Sequence, residues 1–348
     1  MIDRLNSLRY SKPRLIQAPK EIRMKAIRAH EWCGPRDLKI DNIELPKPER
    51  RQILIRVNVA GLNFPDLLII TGKYQYKPAL PFSPGFEIAG TVEEIGDGVT
   101  GFTVGDRVVA QVSVGGFAEY AIAEESNTHP IPASMSDDEA AAFPLVYQTS
   151  YFGLAYRGEL KKGETVLVHS AAGGVGLSAV QIARALGAGK IIGTVGSDDK
   201  RALVRDNGAD IVVNYQTEDF VDVVKRETDG KGADVIYDPV GGEIGERSTK
   251  CIAFEGRLVI IGFTSGKFSN FVSNHVLVKN YSVVGLHWGA YRHNNPAKID
   301  QGWRELLELY ETGMLRPVIG GRFHMEQVAD AMEFLASRKA VGKVVLYW

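Results

Sequence analysis

The stretch Thr165-Val-Leu-Val-His-Ser-Ala-Ala-Gly-Gly-Val-Gly176 decides the fold that this sequence predicts. Its first part is a short apolar run typical of a buried strand, and its second part is a glycine turn. An amphipathic helix is predicted over residues 174–186, ended by Gly187 and Gly189, and a second apolar strand over residues 191–195. Strand, glycine turn, helix and strand in this order are the signature of a dinucleotide-binding βαβ unit.

The alternation of strands and helices continues beyond this unit. It predicts helices over residues 198–206, 218–227 and 243–252, and strands over residues 210–213, 234–237, 257–261 and 282–286. Such alternation indicates a parallel sheet covered by helices on both faces and joined by right-handed crossovers. We therefore expect an α/β fold with a Rossmann doubly wound domain over residues 147–287.

The chain on either side of this domain has a different pattern. Residues 24–146 contain short strand candidates, at 52–59, 88–95 and 106–112, separated by glycine turns. They predict a small, irregular β-barrel as a second domain. Residues 288–348 contain helices predicted at 299–312 and 326–337 and a closing strand at 342–347, which we expect to return to the first domain and complete it.

Composition limits the possible classes of protein. The 348 residues are 45% hydrophobic and 24% charged with a formal net charge of −1, so neither a nucleic-acid nor a membrane partner is expected. No apolar run is long enough to predict a membrane-spanning helix. The two cysteines, Cys33 and Cys251, are too few for a disulfide framework and fit a reducing compartment such as the cytoplasm.

Residues 1–23 form a basic arm with six Lys or Arg residues and only Asp3 and Glu21 as acids. Such a segment is compatible with a mitochondrial targeting sequence. It is equally compatible with a surface arm, or with an upstream start codon before a working chain that begins near Met24.

The glycine turn assigns roles to its residues. Gly173 is expected to let the backbone approach a pyrophosphate, and Gly176 to let the helix pack against the strand. The amides of Gly174 and Val175 open the helix, where its dipole favours an anion. Ala171 replaces the first glycine of the usual fingerprint and is still small enough for the turn.

The end of the second strand bears on the choice between NADH and NADPH. A carboxylate there would hold a ribose 2′-hydroxyl, but residues 193–196 contain none. Ser197, Lys200 and Arg201 follow and suit a 2′-phosphate, which predicts NADPH. Asp198 and Asp199 leave an alternative open: they are either first-turn acids behind a Ser197 N-cap or ligands of the ribose, and the second case would weaken the preference.

Several motifs together resemble the zinc-free medium-chain dehydrogenases/reductases, and specifically the NADPH:quinone oxidoreductase (zeta-crystallin-like) family. The resemblance covers residues 24–348 and implies a GroES-like catalytic domain beside the Rossmann domain. The motifs that carry it are Gly61-Leu-Asn-Phe-Pro-Asp66, Gly72-Lys-Tyr74, Pro84-Gly-Phe-Glu-Ile-Ala-Gly90, Gly105-Asp-Arg-Val108, Ala171-Ala-Gly-Gly-Val-Gly-Leu177, Asn214-Tyr215 and Tyr237-Asp-Pro-Val-Gly241.

The positions of the zinc ligands in zinc-dependent relatives hold other residues here. Leu62 and Asn63 stand where those relatives have a catalytic cysteine, and Phe86 stands where they have a histidine. A four-cysteine lobe is also missing, and the histidines show no ligand spacing. We therefore expect no metal site.

The resemblance also implies site residues. Asn63 is expected to point at the nicotinamide and the substrate carbonyl, and Tyr74 to line the same pocket, while Leu68 replaces a second pocket tyrosine. The 2′-phosphate ligands are expected to be Lys200, Tyr215 and Arg338. Thr149 is expected beside the nicotinamide, and a homodimer is expected through the edge strand near residues 282–286.

These residues predict hydride transfer from NADPH to a quinone or an α,β-unsaturated carbonyl compound. One alternative is a reductase of enoyl thioesters or 2-alkenals, in which Tyr74 would protonate the α-carbon. A different class, a non-catalytic NADPH-binding protein, also remains open.

Overall fold

The computed structural model of the protein describes residues 22–348. The expectations for the basic arm therefore lie outside the described residues, apart from its last two. Arg23 already belongs to the first strand, where it pairs with Glu44. Among the described residues, no helix combines the length and apolar character required to cross a bilayer.

The N-terminal domain contains seven strands and a few short helices. A two-stranded ribbon of β1 (Arg23–Arg28) and β2 (Lys39–Glu44) precedes the larger sheet. The remaining elements are β3 (Gln52–Leu62), α1 (Phe64–Ile70), β4 (Glu87–Ile95), β5 (Arg107–Gln111), β6 (Tyr120–Glu124), β7 (Thr128–Pro130), α2 (Asp137–Ala141) and α3 (Pro144–Tyr151), which continues as a π-helical segment, Phe152–Arg157.

The next part of the chain alternates strictly between strands and helices. Its elements are β8 (Thr165–Val168), α4 (Gly174–Ala185), β9 (Lys190–Val195), α5 (Arg201–Asp206), β10 (Ile211–Asn214), α6 (Phe220–Glu227), β11 (Ala233–Asp238), α7 (Glu243–Ser248), β12 (Ile252–Ile260), α8 (Ser273–Lys279) and β13 (Ser282–Gly285). The six strands pair in parallel in the order β10-β9-β8-β11-β12-β13. This is the strand order of dinucleotide-binding sheets, with its topological switch point between β8 and β11.

The C-terminal segment returns to the first domain. It comprises α9 (Tyr291–Asn294), α10 (Pro296–Glu311), β14 (Ile319–His324), α11 (Val328–Ala336) and β15 (Lys343–Tyr347), and short 3-10 turns lie at Pro35–Asp37, Glu125–Asn127, Asp198–Lys200, Trp288–Ala290 and Met325–Gln327. β15 pairs antiparallel with β3, and β14 lies outside β15 in parallel. The larger sheet thus has the order β14-β15-β3-β4-β5-β7, with β6 also paired to β3.

The predicted α/β fold with a Rossmann-type parallel sheet is confirmed. One predicted helix is too long, because α7 ends at Ser248 and Ile252 already begins β12. Ala233 of β11 pairs with Ile252, so the apolar residues after α7 belong to the sheet rather than to a helix face. A short apolar run does not by itself distinguish these two fates.

Packing around β8 places the glycine turn. The β8 side chains of Val166, Leu167 and Val168 are fully buried, as expected for a strand covered on both faces. Helix α4 buries Ala179, Ile182 and several neighbours against the same core. The Ser178 hydroxyl of α4 donates a hydrogen bond to Val146 O of α3 at 3.1 Å. The turn between β8 and α4 is therefore held from both sides.

Acid is expected to destabilise the protein through His169, which lies fully buried after β8. Its ring nitrogens contact Thr194 Oγ1 at 3.1 Å and Ser248 Oγ at 2.8 Å. Burial lowers the pKa of His169 to about 4, Asp238 opposing and Arg247 assisting this effect. An unfolded histidine titrates near 6.5, so only the unfolded state takes up the proton as pH falls from about 6.5 to 4.

The free energy of unfolding should therefore decrease over that pH window, by about 1–3 kcal/mol for this ring. Urea titrations at several pH values would measure it. His169→Asn should flatten the slope without removing it, because burial also lowers the pKa of His129 to about 4. An unchanged slope in the variant would contradict the expectation.

Candidate cofactor and active site

The glycine turn lies at the carboxyl end of β8, beside the switch point of the sheet. Ala171 is buried and its amide donates to Thr194 O of β9 at 2.9 Å. Gly173 is the N-cap of α4, and Gly174, Val175 and Gly176 form its first turn. Their amides have no acceptor within the helix. This turn can therefore receive an anion, as the sequence predicts.

Two glycines of the turn face different surroundings. A Cβ on Gly176 would lie 2.1 Å from Ser170 O, so the close approach of α4 to β8 requires glycine here. A Cβ on Gly173 would meet nothing closer than 3.4 Å within the protein. Gly176 is therefore needed for packing, whereas Gly173 leaves a space beside the turn that a side chain would fill. We call this space the cradle.

The residues predicted to bind a 2′-phosphate are linked in pairs. Lys200 Nζ donates to Arg338 O at 2.7 Å, which joins the start of α5 to the turn after α11. Tyr215 and Arg338 line one cavity of about 320 Å³. Its charged lining consists of three cations and one carboxylate: Arg247, Lys267, Arg338 and Glu243.

The Asp198 carboxylate accepts hydrogen bonds from two neighbouring side chains. Its carboxylate accepts from Arg201 Nε at 2.7 Å and from Asn214 Nδ2 at 3.1 Å. These hydrogen bonds lower the pKa of Asp198. Ser197 stands at the N-cap position of the 3-10 turn, but its side chain makes no capping hydrogen bond. Both hydrogen bonds reach Oδ1, and the Asp198 side chain is 69% exposed, so the carboxylate is paired but not withdrawn from solvent.

Thr149 lies on α3, which abuts the glycine turn. The adjacent Ser150 Oγ donates to Val175 O at 2.9 Å, and Thr149 itself stays partly exposed. The structure therefore places Thr149 close to the start of α4, on the side where α3 meets the turn.

Asn63 lies in a buried polar network at the start of α1. Its Nδ2 donates to Glu87 Oε1 at 2.8 Å and to Gly61 O at 3.2 Å, and its Oδ1 accepts from Lys343 Nζ at 2.5 Å. Lys343 Nζ also donates to Glu87 Oε1 at 2.7 Å. All the polar atoms of the Asn63 amide are therefore engaged in this conformation.

Glu87 and Lys343 were not among the predicted site residues. Each is a buried charged residue that begins a strand, Glu87 in β4 and Lys343 in β15. A charged residue followed directly by small or apolar strand positions was the available signal, because buried charges are rare unless paired. Their partnership spans 256 positions, so no local pattern reveals it.

Tyr74 borders the same region. Its ring packs on Phe86 with centroids 5.6 Å apart. Burial raises the pKa of Tyr74, the Asp66 charge raises it further, and Arg292 lowers it. Burial also raises the pKa of Asp66 itself, to about 7, against the hydrogen bonds from the Asn63 and Gly85 amides. Tyr74 therefore keeps its phenolic proton at neutral pH.

Among residues 22–348, no group of three His, Cys, Asp or Glu side chains is placed to hold a metal ion. Asn63 and Phe86 occupy the expected ligand positions, and the Asn63 partners are a carboxylate and an ammonium.

A parallel sheet with a glycine turn at its switch point, joined to a GroES-like barrel, defines a medium-chain dehydrogenase/reductase. Comparisons with known proteins agree. Residues 49–133 match the alcohol dehydrogenase GroES-like domain, and residues 174–311 match the zinc-binding dehydrogenase family. The words "zinc-binding" belong to the name of that family and say nothing about zinc in this chain.

Particular relatives narrow the family. The chain is 40% identical to quinone oxidoreductase-like protein 2 homolog of Nematostella vectensis, over 85% of this chain and 81% of the relative. It is 35% identical to quinone oxidoreductase of Rattus norvegicus, over 93% and 97%. The structure of Escherichia coli quinone oxidoreductase complexed with NADPH superposes with a TM-score of 0.87 at 33% identity, covering 93% of this chain and all of the other. The chain belongs to the quinone oxidoreductase family of the medium-chain dehydrogenases/reductases.

Proposed function

We propose that this protein is an NADPH-dependent reductase that delivers hydride to a quinone or an α,β-unsaturated carbonyl compound without zinc. The observation that carries the proposal is the glycine turn after β8, where Gly173 leaves space for a ligand. A cavity lined by three cationic side chains and one carboxylate supports it. The turn suits a pyrophosphate, and the cavity suits the additional phosphate of NADPH.

The residues of this chain fit NADPH. Gly173, Gly174 and Val175 would hold the pyrophosphate with backbone amides, and Lys200, Tyr215 and Arg338 would hold the 2′-phosphate. Ser197 would border the adenosine ribose and Thr149 the nicotinamide. The ion pair of Asp198 with Arg201 offsets part of the carboxylate charge, which reduces its repulsion of a phosphate and supports NADPH over NADH.

NADPH, when bound, supplies a hydride at C4 of its nicotinamide. Asn63 would donate a hydrogen bond to the acceptor oxygen as negative charge develops there. Of its two Nδ2 contacts, that to Gly61 O is the longer, at 3.2 Å, and is the one to be exchanged for the acceptor. The buried surroundings of Asn63 exclude water from this hydrogen bond.

The identity of the acceptor decides whether Tyr74 is needed. A quinone can take its protons from solvent, whereas an enone or enoyl thioester requires a proton at the α-carbon. Tyr74 packs on Phe86 and carries a phenolic proton, which makes the enone or thioester the second candidate. Its raised pKa makes it a weaker acid than a free tyrosine and counts against this candidate.

A panel of quinones, 2-alkenals and enoyl thioesters, each with NADPH and NADH, tests both candidates. We expect quinone turnover with NADPH, and Tyr74→Phe to change it less than threefold. If Tyr74→Phe instead abolishes a larger enone or thioester activity, with quinone activity minor, the second candidate is correct. NADPH binding without turnover of any acceptor would indicate the non-catalytic class.

The exposed edge of the Rossmann sheet supports the proposed homodimer. β13 pairs only with β12, and its outer edge is free among the described residues. Next to it on α8, Leu277 and Val278 are 75% and 77% exposed. An unpaired edge beside exposed apolar side chains favours association with a second copy.

The dimer prediction can be tested by charge insertion. Leu277→Glu with Val278→Glu should convert a dimer into a monomer, because two carboxylates would be buried unpaired in each half of the interface. Light scattering measures the mass. Val104→Glu, at an exposed apolar site of the other domain, is the matched control and should stay dimeric. A wild-type monomer would refute the assembly.

The compartment is also a proposal. Cys33 and Cys251 are both free thiols, which fits the cytoplasm. Fractionation of cells expressing the full chain, and a chain beginning at Met24, would distinguish this from a mitochondrial destination.

A further inference from the structure

The ammonium of Lys343 sits at the centre of the network around Asn63. The side chain is 5% exposed. Its Nζ donates to Leu62 O at 3.0 Å, to Asn63 Oδ1 at 2.5 Å and to Glu87 Oε1 at 2.7 Å. Three acceptors satisfy the three hydrogens of an ammonium, so the group is fully used inside the protein.

Glu87 completes the network from the opposite side. Its Oε1 accepts from both Lys343 and Asn63, and its Oε2 accepts from the Leu145 amide at 2.8 Å. Since Leu145 lies in the first turn of α3, the carboxylate is fixed by backbone as well as by charge.

These two charges allow only one orientation of the Asn63 amide. The carbonyl oxygen faces an ammonium and the amino group faces a carboxylate. Rotation of the amide by 180° would place a donor against the ammonium and an acceptor against the carboxylate, losing both hydrogen bonds. The amino group is thereby held on the Glu87 side, with its second hydrogen on Gly61 O.

Lys343 also touches the cofactor turn. The preceding amide, of Gly342, donates to Ala172 O at 2.8 Å, and a Cβ on Gly174 would lie 3.1 Å from Lys343 Cδ. The Lys343 stem therefore lies beside Gly174 of the glycine turn, and its ammonium contacts Asn63.

We propose that Lys343 is a positioning residue. Together with Glu87, it fixes the orientation of the Asn63 amino group relative to the glycine turn. The inference rests on the proposed function, in which Asn63 donates to the acceptor. Lys343 itself has no hydrogen left for substrate or cofactor. Its effect on turnover should therefore pass entirely through Asn63.

A double-mutant cycle tests this claim. Wild type, Asn63→Ala, Lys343→Met and the double variant are compared for kcat and KM with a quinone at saturating NADPH, and for NADPH Kd. We expect each single variant to lower kcat about 10–100-fold. The double variant should be no slower than the slower single one, with NADPH Kd changed less than threefold throughout.

Lys343→Met leaves a buried carboxylate unpaired and can therefore impair folding. The cycle is then run with Lys343→Met and Glu87→Gln combined, which removes both charges. Thermal unfolding reports folding separately from turnover, and a purely structural role would lower the unfolding temperature without the non-additive kcat.

The outcomes separate the two claims. If kcat is unchanged by Lys343→Met, or if its loss adds to that of Asn63→Ala, the positioning role is wrong and the proposed function stands. If Asn63→Ala itself leaves kcat unchanged, the proposed role of Asn63 fails and the inference fails with it.

Discussion

Alanine at Gly176 is expected to destabilise the protein by about 1–3 kcal/mol and to remove NADPH binding, whereas alanine at Gly173 should remove binding alone. The added Cβ at Gly176 would lie 2.1 Å from Ser170 O and 2.7 Å from Ala171 Cα. Both are backbone atoms, so α4 must move away from β8 to relieve the collision. That movement would also displace the amides of the helix N-terminus.

Gly173 offers a matched comparison within the same turn. Its Cβ would meet Ser170 O and Oγ at 3.4 and 3.5 Å, which is ordinary contact, and its φ of −80° suits any residue. Gly173→Ala should therefore fold normally. The methyl group would occupy the cradle that the pyrophosphate approaches, and we expect NADPH affinity to fall at least tenfold.

Denaturant unfolding and calorimetric titration with NADPH measure the two effects independently. The expected pattern is loss of both properties in Gly176→Ala and loss of binding alone in Gly173→Ala. If Gly173→Ala binds NADPH as tightly as wild type, the pyrophosphate does not lie over this turn.

The Rossmann half could be predicted because its signals are local. An apolar strand, a glycine turn, an amphipathic helix and a second strand follow one another within about thirty residues, so periodicity alone gives the order β8, α4, β9. The extent of α7 could not be predicted in this way. Ile252 joins β12 because Ala233 lies beside it, and that partner is 19 positions earlier in the chain.

The active site was only partly predictable, for a physical reason. Asn63 was found by resemblance, but its partners Glu87 and Lys343 come from two other strands that meet only when β15 closes the sheet against β3. The role of Asp198 depended likewise on Asn214, brought beside it by the parallel pairing of β9 and β10. Hydrogen bonds between side chains of different strands form only in the tertiary structure, so the sequence pattern does not reveal them.

If Lys200 and Arg338 hold the 2′-phosphate as proposed, removing either cation should nearly erase the choice of NADPH over NADH. Charge-assisted hydrogen bonds contribute about 1.5–3 kcal/mol each, so Lys200→Met should raise the KM for NADPH roughly 10–100-fold. The KM for NADH should change less than threefold, since NADH has no 2′-phosphate. Arg338→Gln should act similarly through its own lost charge, because the backbone carbonyl that holds Lys200 remains in the variant.

The comparison requires a lysine whose loss changes the net charge equally but leaves this edge of the sheet intact. Lys231 precedes β11 at the amino ends of the strands, on the side of the sheet away from Lys200. Its ammonium pairs there with Asp234 at 2.9 Å. Lys231→Met should leave the ratio of kcat/KM for NADPH and NADH unchanged. A ratio that falls equally in Lys200→Met and Lys231→Met would mean that overall charge, rather than a bound phosphate, sets the preference. A ratio unchanged in both variants would mean that Lys200 does not select the cofactor.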